Sequence, residues 1–164
     1  MTAAERGTLT HKVLGLIDYA LLPEPVTEES LAKAIEPLTE NGILSAEEAA
    51  LLNHRWLLAF LNSPLGLRAR NSELCRREWA FTMRLPGHEN TLLQGVLDLC
   101  FEEEGQWVLC DYKTDRVDDP AELVQRYAPQ LKLYREALVR VTGMPVKEIY
   151  LFPLRLGQSV PVEG

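Results

Sequence analysis

An aspartate, a lysine and a second aspartate follow an apolar run in the stretch WVLCDYKTD, residues 107–115. Ionised side chains at the end of a buried strand must be solvated, paired or bound to a metal ion, because desolvation without a partner is costly. Residues two apart on a strand share a face, so Asp111 and Lys113 project to the same side. The spacing therefore predicts one carboxylate and one ammonium side by side at the strand's exit.

Another aspartate, Asp98, interrupts the preceding apolar run GVLDLCF, residues 95–101. The two runs are so close in sequence that an antiparallel hairpin is the expected connection. A register that places Asp98 beside Asp111 would make the two carboxylates repel each other strongly unless a cation lies between them. The pattern thus predicts two carboxylates for a hard cation, with an ammonium nearby to act on the reacting group.

Helices are predicted to occupy the N-terminal part of the chain, residues 1–65. Apolar spacing, capping residues and prolines indicate three helices: Thr8–Leu21, Thr27 to about Ile35, and Ser45 to Pro64. Pro37 is predicted to close the second helix. His11 lies off the apolar stripe of the first helix, which is formed by Leu9, Val13, Leu16, Ile17 and Ala20.

The hydrophobic period changes to two after residue 73, which predicts a sheet. Three strands in a meander, a helix and a last strand are expected at residues 75–83, 91–105, 106–114, 119–143 and 147–154. Pro86 and Gly87 would turn the chain between the first two strands. Pro129 predicts a kink or break in the helix near Tyr127. The last strand follows a crossover helix, so it should lie parallel to an earlier strand.

Length and composition favour one globular domain over residues 1–164, with a helical part at 1–65 that carries His11 and a sheet-and-helix core at 73–155. The three cysteines lack CxxC spacing and lie in apolar runs, which is typical of reduced core thiols. No signal-peptide pattern or membrane-length apolar run is present in the sequence, so a cytoplasmic location without membrane contact is expected.

The net charge of −7 argues against a free-standing nucleic-acid-binding module, whose usual mark is a basic face. However, a site that concentrates carboxylates to hold divalent cations makes its own surroundings acidic, and the bound cation then attracts phosphate. The acidic balance alone therefore does not exclude a nucleic-acid substrate.

Five segments in a fixed order carry a resemblance to a known family. They are RGTLTHKVL at 6–14, REWAF at 77–81, GVLDLCF at 95–101, DYKTD at 111–115 and QLKLY at 130–134. Together they resemble the RecB/AddA-type nuclease domain of the PD-(D/E)XK nuclease superfamily, in particular the C-terminal domain of AddA-like helicase–nuclease subunits. The resemblance implies an α/β, restriction-endonuclease-like core, with a mixed central sheet flanked by helices and a helical N-terminal part.

The resemblance also implies a role for each matched residue. The expected metal ligands are His11, Asp98, Asp111 and the backbone carbonyl of Tyr112, a set that suits Mg²⁺ or Mn²⁺. Lys113 would position or deprotonate the attacking water and stabilise charge on the phosphate, and Glu78 would orient a water at the metal. Two residues one helical turn apart would frame the site or contact the DNA backbone: Gln130 and Tyr134.

A function and partners follow from the same resemblance. The expected activity is metal-dependent hydrolysis of DNA phosphodiester bonds, on single strands or unwound ends, during double-strand-break repair with a helicase domain or subunit. The cysteine motif that holds an iron–sulfur cluster in AddB-like relatives is absent from the sequence, so no cluster is expected.

Structural explanations remain open for each residue. His11 could be a surface side chain, Asp98 a structural partner of Lys113 or Arg76, and Glu78 a solvated strand residue. Asp111 and Lys113 could form an ordinary ion pair at a strand end. At the level of function, the alternatives are a catalytically silent DNA-end-binding scaffold of the same fold and an acidic protein-interaction domain. A scaffold has no need for this charge cluster, which favours the enzyme.

Overall fold

The computed structural model describes residues 1–85, 87–116 and 118–163. The helices of these residues are α1 Ala3–Leu16, α2 Glu28–Glu40, α3 Ala46–Ala50, α4 His54–Leu61, α5 Pro64–Asn71 and α6 Pro120–Thr142, with a short 3₁₀ helix at Tyr19–Leu21. The strands are β1 Cys75–Leu85, β2 His88–Glu103, β3 Gln106–Lys113, β4 Val146–Pro153 and β5 Val160–Val162. The turn predicted at Pro86 lies outside the described residues.

The strands of the described chain form one mixed sheet in the order β1-β2-β3-β4-β5. β1, β2 and β3 make the predicted antiparallel meander. Glu104 and Gly105 form the tight turn between β2 and β3, with positive φ angles of 56° and 76°, as two-residue hairpins require. α6 then crosses over, and β4 pairs parallel to β3. The predicted parallel placement of the last long strand is confirmed.

Hydrophobic side chains are buried on both faces of this sheet, in two clusters. One cluster joins the sheet to α1, α2, α4 and α5, and includes Val108, Cys110 and Tyr112 of β3. The other joins the sheet to α6 and includes Trp107 and Leu109. Because β3 is buried on both sides, its only charged positions come at its end, where the apolar covering stops.

The first helix differs from its predicted bounds of Thr8–Leu21. α1 begins five residues earlier because Thr2 and Glu5 form a reciprocal capping box. It ends at Leu16, which is exposed, and the chain continues as the short 3₁₀ helix. The predicted buried stripe is wrong at Leu16 and Ala20, which are both exposed, and it omitted Leu14, which is buried.

The predicted end of the second helix near Ile35 is also wrong. α2 starts after the predicted cap Thr27 but continues through Pro37 to Glu40. A proline inside a helix removes one backbone donor, and here the burial of Leu38 against the core favours continuation. The carbonyl of Pro37 still accepts a hydrogen bond from the Asn41 amide at 3.0 Å.

The predicted third helix from Ser45 to Pro64 is divided into two helices, and a further one follows it. Asn53 caps α4 by accepting a hydrogen bond from the Trp56 amide, and Ser63 caps α5 in the same way with Pro64 as its first residue. A side chain that satisfies free amide groups can start a new helix wherever it occurs. The apolar period concealed these internal starts.

α6 runs through Pro129 without a break, so of the kink or break predicted near Tyr127 the break does not occur. Leu131 and Leu138 beyond the proline are buried against the sheet, which holds the helix in place. Gly143 ends the helix in the left-handed conformation, at φ 75°, as predicted. The short strand β5 has too few residues to show a period, and the sequence did not predict it. No helix among the described residues is long and apolar enough to cross a membrane.

Candidate active site

A cleft of about 670 Å³ lies between α1, the β1–β2 hairpin, the end of β3 and α6. Five of the residues predicted for the site line it: His11, Glu78, Asp98, Tyr112 and Lys113. Asp111, a further predicted site residue, does not line the cleft and is buried, with 5% of its surface exposed. The tertiary structure thus gathers residues from four separate elements around one cavity.

The hairpin register brings the two aspartates together. The antiparallel pairing of β2 with β3 reaches Leu99 and Cys110, and the next step along both strands places Asp98 opposite Asp111. Here Asp98 Oδ2 accepts a hydrogen bond from the Tyr112 amide at 2.9 Å. The carboxylate therefore fills the gap where the regular ladder ends.

The two carboxyl groups perturb one another strongly. For Asp111, burial and the negative charge of Asp98 raise the pKa above its ordinary value. For Asp98, burial opposes the charge, but the hydrogen bond with His11 lowers the pKa below its ordinary value. Such a buried acidic pair is costly to keep ionised, and a cation between the groups would relieve the repulsion.

His11 is oriented by contacts at both ring nitrogens. Its Nδ1 lies 2.8 Å from the Gly7 carbonyl oxygen, so Nδ1 carries a proton and donates it. Its Nε2 faces two further oxygens, the Tyr112 carbonyl at 3.1 Å and Asp98 Oδ2 at 3.2 Å. Burial opposes protonation of the ring, but the hydrogen bond and charge of Asp98 outweigh it and raise the pKa of His11 to about 9.

Two glycines let α1 approach the site closely. A Cβ atom added at Gly7 would lie 2.9 Å from Thr114 Oγ1, and one added at Gly15 would lie 2.2 Å from Glu78 Cγ. Gly7, His11 and Gly15 are spaced four residues apart, so they form one stripe along the helix. This Gly-x₃-His-x₃-Gly pattern was not among the predicted features, and it marks the face of α1 that carries the imidazole.

Lys113 is held by an ion pair and by an aromatic ring. Its Nζ lies 2.8 Å from Asp111 Oδ2 and 3.9 Å from the centre of the Tyr127 ring. Burial opposes the ammonium charge, but Asp111 outweighs it and raises the pKa of Lys113 above its ordinary value. Asp115, which follows the end of β3, accepts a 2.7 Å hydrogen bond from the Tyr127 hydroxyl. Tyr127 therefore links α6 to the end of the strand.

Tyr127 was not among the site residues predicted from the sequence. Its spacing was an available signal, because Tyr127, Gln130 and Tyr134 are three and four residues apart and so lie on one helix face. The structure brings that face towards the strand exit, where the Tyr127 ring contacts the Lys113 ammonium.

Glu78 lies at an irregular point of β1. Its φ angle of 51° is in the left-handed region, which non-glycine residues rarely adopt. Burial and the charge of Asp98 raise the pKa of Glu78 above its ordinary value. On β2 the neighbouring Leu97 and Leu99 belong to different hydrophobic clusters, so the hairpin changes its packing face beside Asp98.

Gln130 and Tyr134, like Asp111, are predicted site residues that are not among the described residues lining the cleft. Gln130 Nε2 donates a 3.1 Å hydrogen bond to the Tyr134 hydroxyl. The Tyr134 ring packs edge-on against Phe81, with 5.3 Å between ring centres, and close to Gly95. This geometry supports a role in shaping the hairpin behind the cleft.

The residues present fit a hard divalent cation. With Nδ1 protonated, a neutral His11 points the lone pair of Nε2 towards two oxygens about 3 Å away, a contact that is repulsive without a proton or cation between them. Neighbouring ligands around an ion with bonds of about 2.1 Å are separated by about 3 Å. Asp111 Oδ2 is buried. Within the described residues it forms an ion pair with Lys113 but accepts no hydrogen bond.

The donor set depends on the backbone as well as on side chains. In the part of the chain that the structure describes, no three His, Cys, Asp or Glu side chains could together hold a metal ion as they stand. The Tyr112 carbonyl supplies the additional oxygen beside His11 and Asp98. A mixed set of imidazole, carboxylate and carbonyl groups with open positions is consistent with Mg²⁺ or Mn²⁺.

A mixed sheet flanked by helices, with acidic residues paired at the end of β3, defines the restriction-endonuclease-like α/β class. The sequence profile of the PD-(D/E)XK nuclease superfamily matches residues 1–161. The chain belongs to this superfamily, and the resemblance noted from its motifs is confirmed.

Relatives of known name agree with this assignment. The chain is 34% identical over 176 residues to the AddA-type ATP-dependent helicase/nuclease subunit of Clostridium botulinum (strain Loch Maree / Type A3), covering 99% of this chain and 14% of that protein. It is 32% identical over 177 residues to the protein of the same name from Clostridium acetobutylicum, with the same coverage. The chain therefore spans about a seventh of the length of the curated relatives that it matches.

Proposed function

We propose that this chain is a divalent-metal-dependent deoxyribonuclease domain that hydrolyses phosphodiester bonds. The observation that carries the proposal is the convergence of two oxygens on the imidazole. Asp98 Oδ2 and the Tyr112 carbonyl oxygen both lie within 3.2 Å of His11 Nε2. Asp111 and Lys113 lie directly beside them. Membership of a nuclease superfamily supports this chemistry.

The residues divide the work by position. His11, Asp98, Asp111 and the Tyr112 carbonyl would hold the cation, and the Gly7 carbonyl fixes the imidazole tautomer that leaves Nε2 free. When bound, Mg²⁺ or Mn²⁺ polarises the phosphate and favours ionisation of the attacking water.

The remaining two polar groups act on the substrate and the water. Lys113 is held in place by Asp111 and by the Tyr127 ring, and it stabilises the negative charge that grows on the phosphate oxygens. Glu78 accepts a hydrogen bond from the attacking water and orients it, since its carboxylate faces the cleft. Gln130 and Tyr134 keep the hairpin in position behind these groups.

We further propose that the substrate is single-stranded or unwound DNA, delivered by a helicase during double-strand-break repair. The relatives are named as helicase/nuclease subunits, and they are about seven times longer than this chain. A separate helicase region or subunit would therefore act together with the nuclease.

A cleavage assay with matched variants tests the activity. Wild type, Asp111→Asn and Lys113→Gln are incubated with end-labelled single-stranded DNA in Mg²⁺, Mn²⁺ or EDTA. Each substitution should lower the rate about a hundredfold or more, the scale seen when one charge-stabilising group is removed from an active site. Asp18→Asn removes the same charge from an exposed helix cap outside the cleft, and it should cleave like wild type.

Thermal unfolding gives a second readout that does not depend on turnover. A cation that binds only the folded state raises the melting temperature, so Mg²⁺ or Mn²⁺ should stabilise wild type and fail to stabilise Asp98→Asn. Wild type that binds DNA but neither cleaves it nor gains stability from either cation would be the catalytically silent scaffold instead.

A further inference from the structure

Three arginines surround a second, smaller cavity of about 270 Å³ beside the cleft. Arg6 comes from α1, Arg116 from the segment after β3, and Arg155 from the segment after β4. Trp56 of α4 lies beneath them, with the Arg155 guanidinium 4.8 Å above the ring centre. Three elements far apart in sequence thus place like charges at one point of an acidic protein.

Among the described residues, none of these three guanidinium groups forms an ion pair with a carboxylate. In the described parts of the chain, the arginines that form ion pairs are Arg68, Arg126 and Arg140. Burial and the charges of Arg116 and Arg6 lower the pKa of Arg155 below its ordinary value, so the groups repel one another. An unpaired cluster of this kind is the arrangement expected for binding an anion with several negative charges.

The cluster adjoins the cleft at its floor. Arg155 Nε donates a 2.7 Å hydrogen bond to the Thr114 carbonyl, and Thr114 lines the cleft. Arg6 and Arg116 are each the sequence neighbour of a cleft-lining residue, Gly7 and Asp115 respectively. A chain of phosphates that crosses the cleft past His11 would therefore continue directly onto the arginines.

We propose that Arg6, Arg116 and Arg155 form a binding site for the phosphodiester backbone of single-stranded DNA, a few nucleotides from the bond that is cut. This inference rests on the proposed nuclease function. It adds the direction in which the DNA strand leaves the cleft. The guanidinium groups bind phosphate oxygens by charge-assisted hydrogen bonds and read no base. Arg155 is held by Trp56 and the Thr114 carbonyl, whereas exposed Arg6 and Arg116 adjust to the strand.

Binding is measured by fluorescence anisotropy with a labelled single-stranded oligonucleotide in EDTA, which removes any contribution from bound metal. The double variant Arg6→Gln/Arg116→Gln is compared with Lys33→Gln/Arg140→Gln, which removes equal charge from α2 and α6. Each lost phosphate contact lowers the slope of log affinity against log salt by about 0.7 for single strands. The cluster variant should lose about 1.4 in slope and bind about tenfold more weakly at about 0.1 M salt, and the control should match wild type.

A small diester separates this proposal from the nuclease function. Bis(4-nitrophenyl) phosphate is too short to reach the arginines, so the cluster variant should hydrolyse it in Mn²⁺ at the wild-type rate while its cleavage of long DNA slows. Unchanged DNA binding by the cluster variant, equal weakening in the control, or no DNA binding by wild type would overturn the backbone site. Displacement of the strand by deoxythymidine monophosphate at equal phosphate concentration would overturn it in favour of a nucleotide pocket. Absence of diester hydrolysis by wild type, with the arginine-dependent binding intact, would instead overturn the nuclease function alone.

Discussion

The contact between His11 and Asp98 makes the imidazole of this protein unusually basic. Asp98 Oδ2 lies 3.2 Å from His11 Nε2, and its hydrogen bond and charge outweigh burial and raise the pKa of His11 to about 9. Replacing Asp98 by Asn keeps the size of the side chain but removes the charge. Burial, which disfavours the imidazolium, then acts without opposition from Asp98.

The expected effect is large. In Asp98→Asn the pKa of His11 should fall from about 9 to about 6.5 or lower, a change that corresponds to about 3 kcal/mol of interaction with the charged ring. Since the folded-state pKa in wild type is raised, His11 stabilises the metal-free fold fully below about pH 6.5 and loses that contribution as the pH rises through about 9. The variant should lack this alkaline loss.

Proton NMR of the imidazole resonances in EDTA measures these values directly. The chain has two other histidines, so the His11 signal is assigned with His54→Gln and His88→Gln. Asp18→Asn removes one carboxylate far from the ring and should leave the titration unchanged. A His11 pKa near 6.5 in wild type, or one still near 9 in Asp98→Asn, would refute the assignment of Asp98 as the group that controls the imidazole.

Further predictions concern packing and acid stability. Gly15→Ala should lower the free energy of unfolding by about 1–3 kcal/mol in a urea titration, because the new methyl group would overlap Glu78, and a gain in stability would contradict the close approach. Glu103 is bound by Arg68 at 2.7 Å and Lys147 at 3.0 Å. The Arg68 contact first, and then Lys147, hold its pKa at about 2, so its stabilisation is present above about pH 4.5 and lost as the pH falls through about 2. Glu103→Gln should therefore lower the free energy of unfolding by about 1–2 kcal/mol at neutral pH and reduce the loss of stability at acid pH. An unchanged loss of stability at acid pH would show that the contacts of Glu103 with Arg68 and Lys147 contribute little.

The sheet was largely predictable from sequence because its signals are local. Alternation of side chains over Cys75–Met83, the turn at Glu104 and Gly105, and the short gap between β2 and β3 each involve neighbouring residues. The helix bounds were less predictable. Pro37 and Pro129 lie inside helices whose following turns are buried in the core, so tertiary packing overrode the local preference against proline.

The candidate site was predictable in its residue types more than in its geometry. Hairpin pairing alone places Asp98 opposite Asp111, and the motif resemblance pointed to His11. The spacing of Tyr127 with Gln130 and Tyr134 indicates the helix face on which it lies, but it does not predict that the ring contacts the Lys113 ammonium.

The four longer strands, the hairpin and the acidic pair follow from the amino-acid order, since each depends on residues close together along the chain. Long-range packing was required for His11 to face Tyr112, 101 residues away, and for Arg6, Arg116 and Arg155 to converge. The physical reason is that such contacts require α1 to pack against the end of the sheet. That packing depends on the absence of side chains at Gly7 and Gly15 and on burial of Leu9, Val13 and Leu14 of the helix.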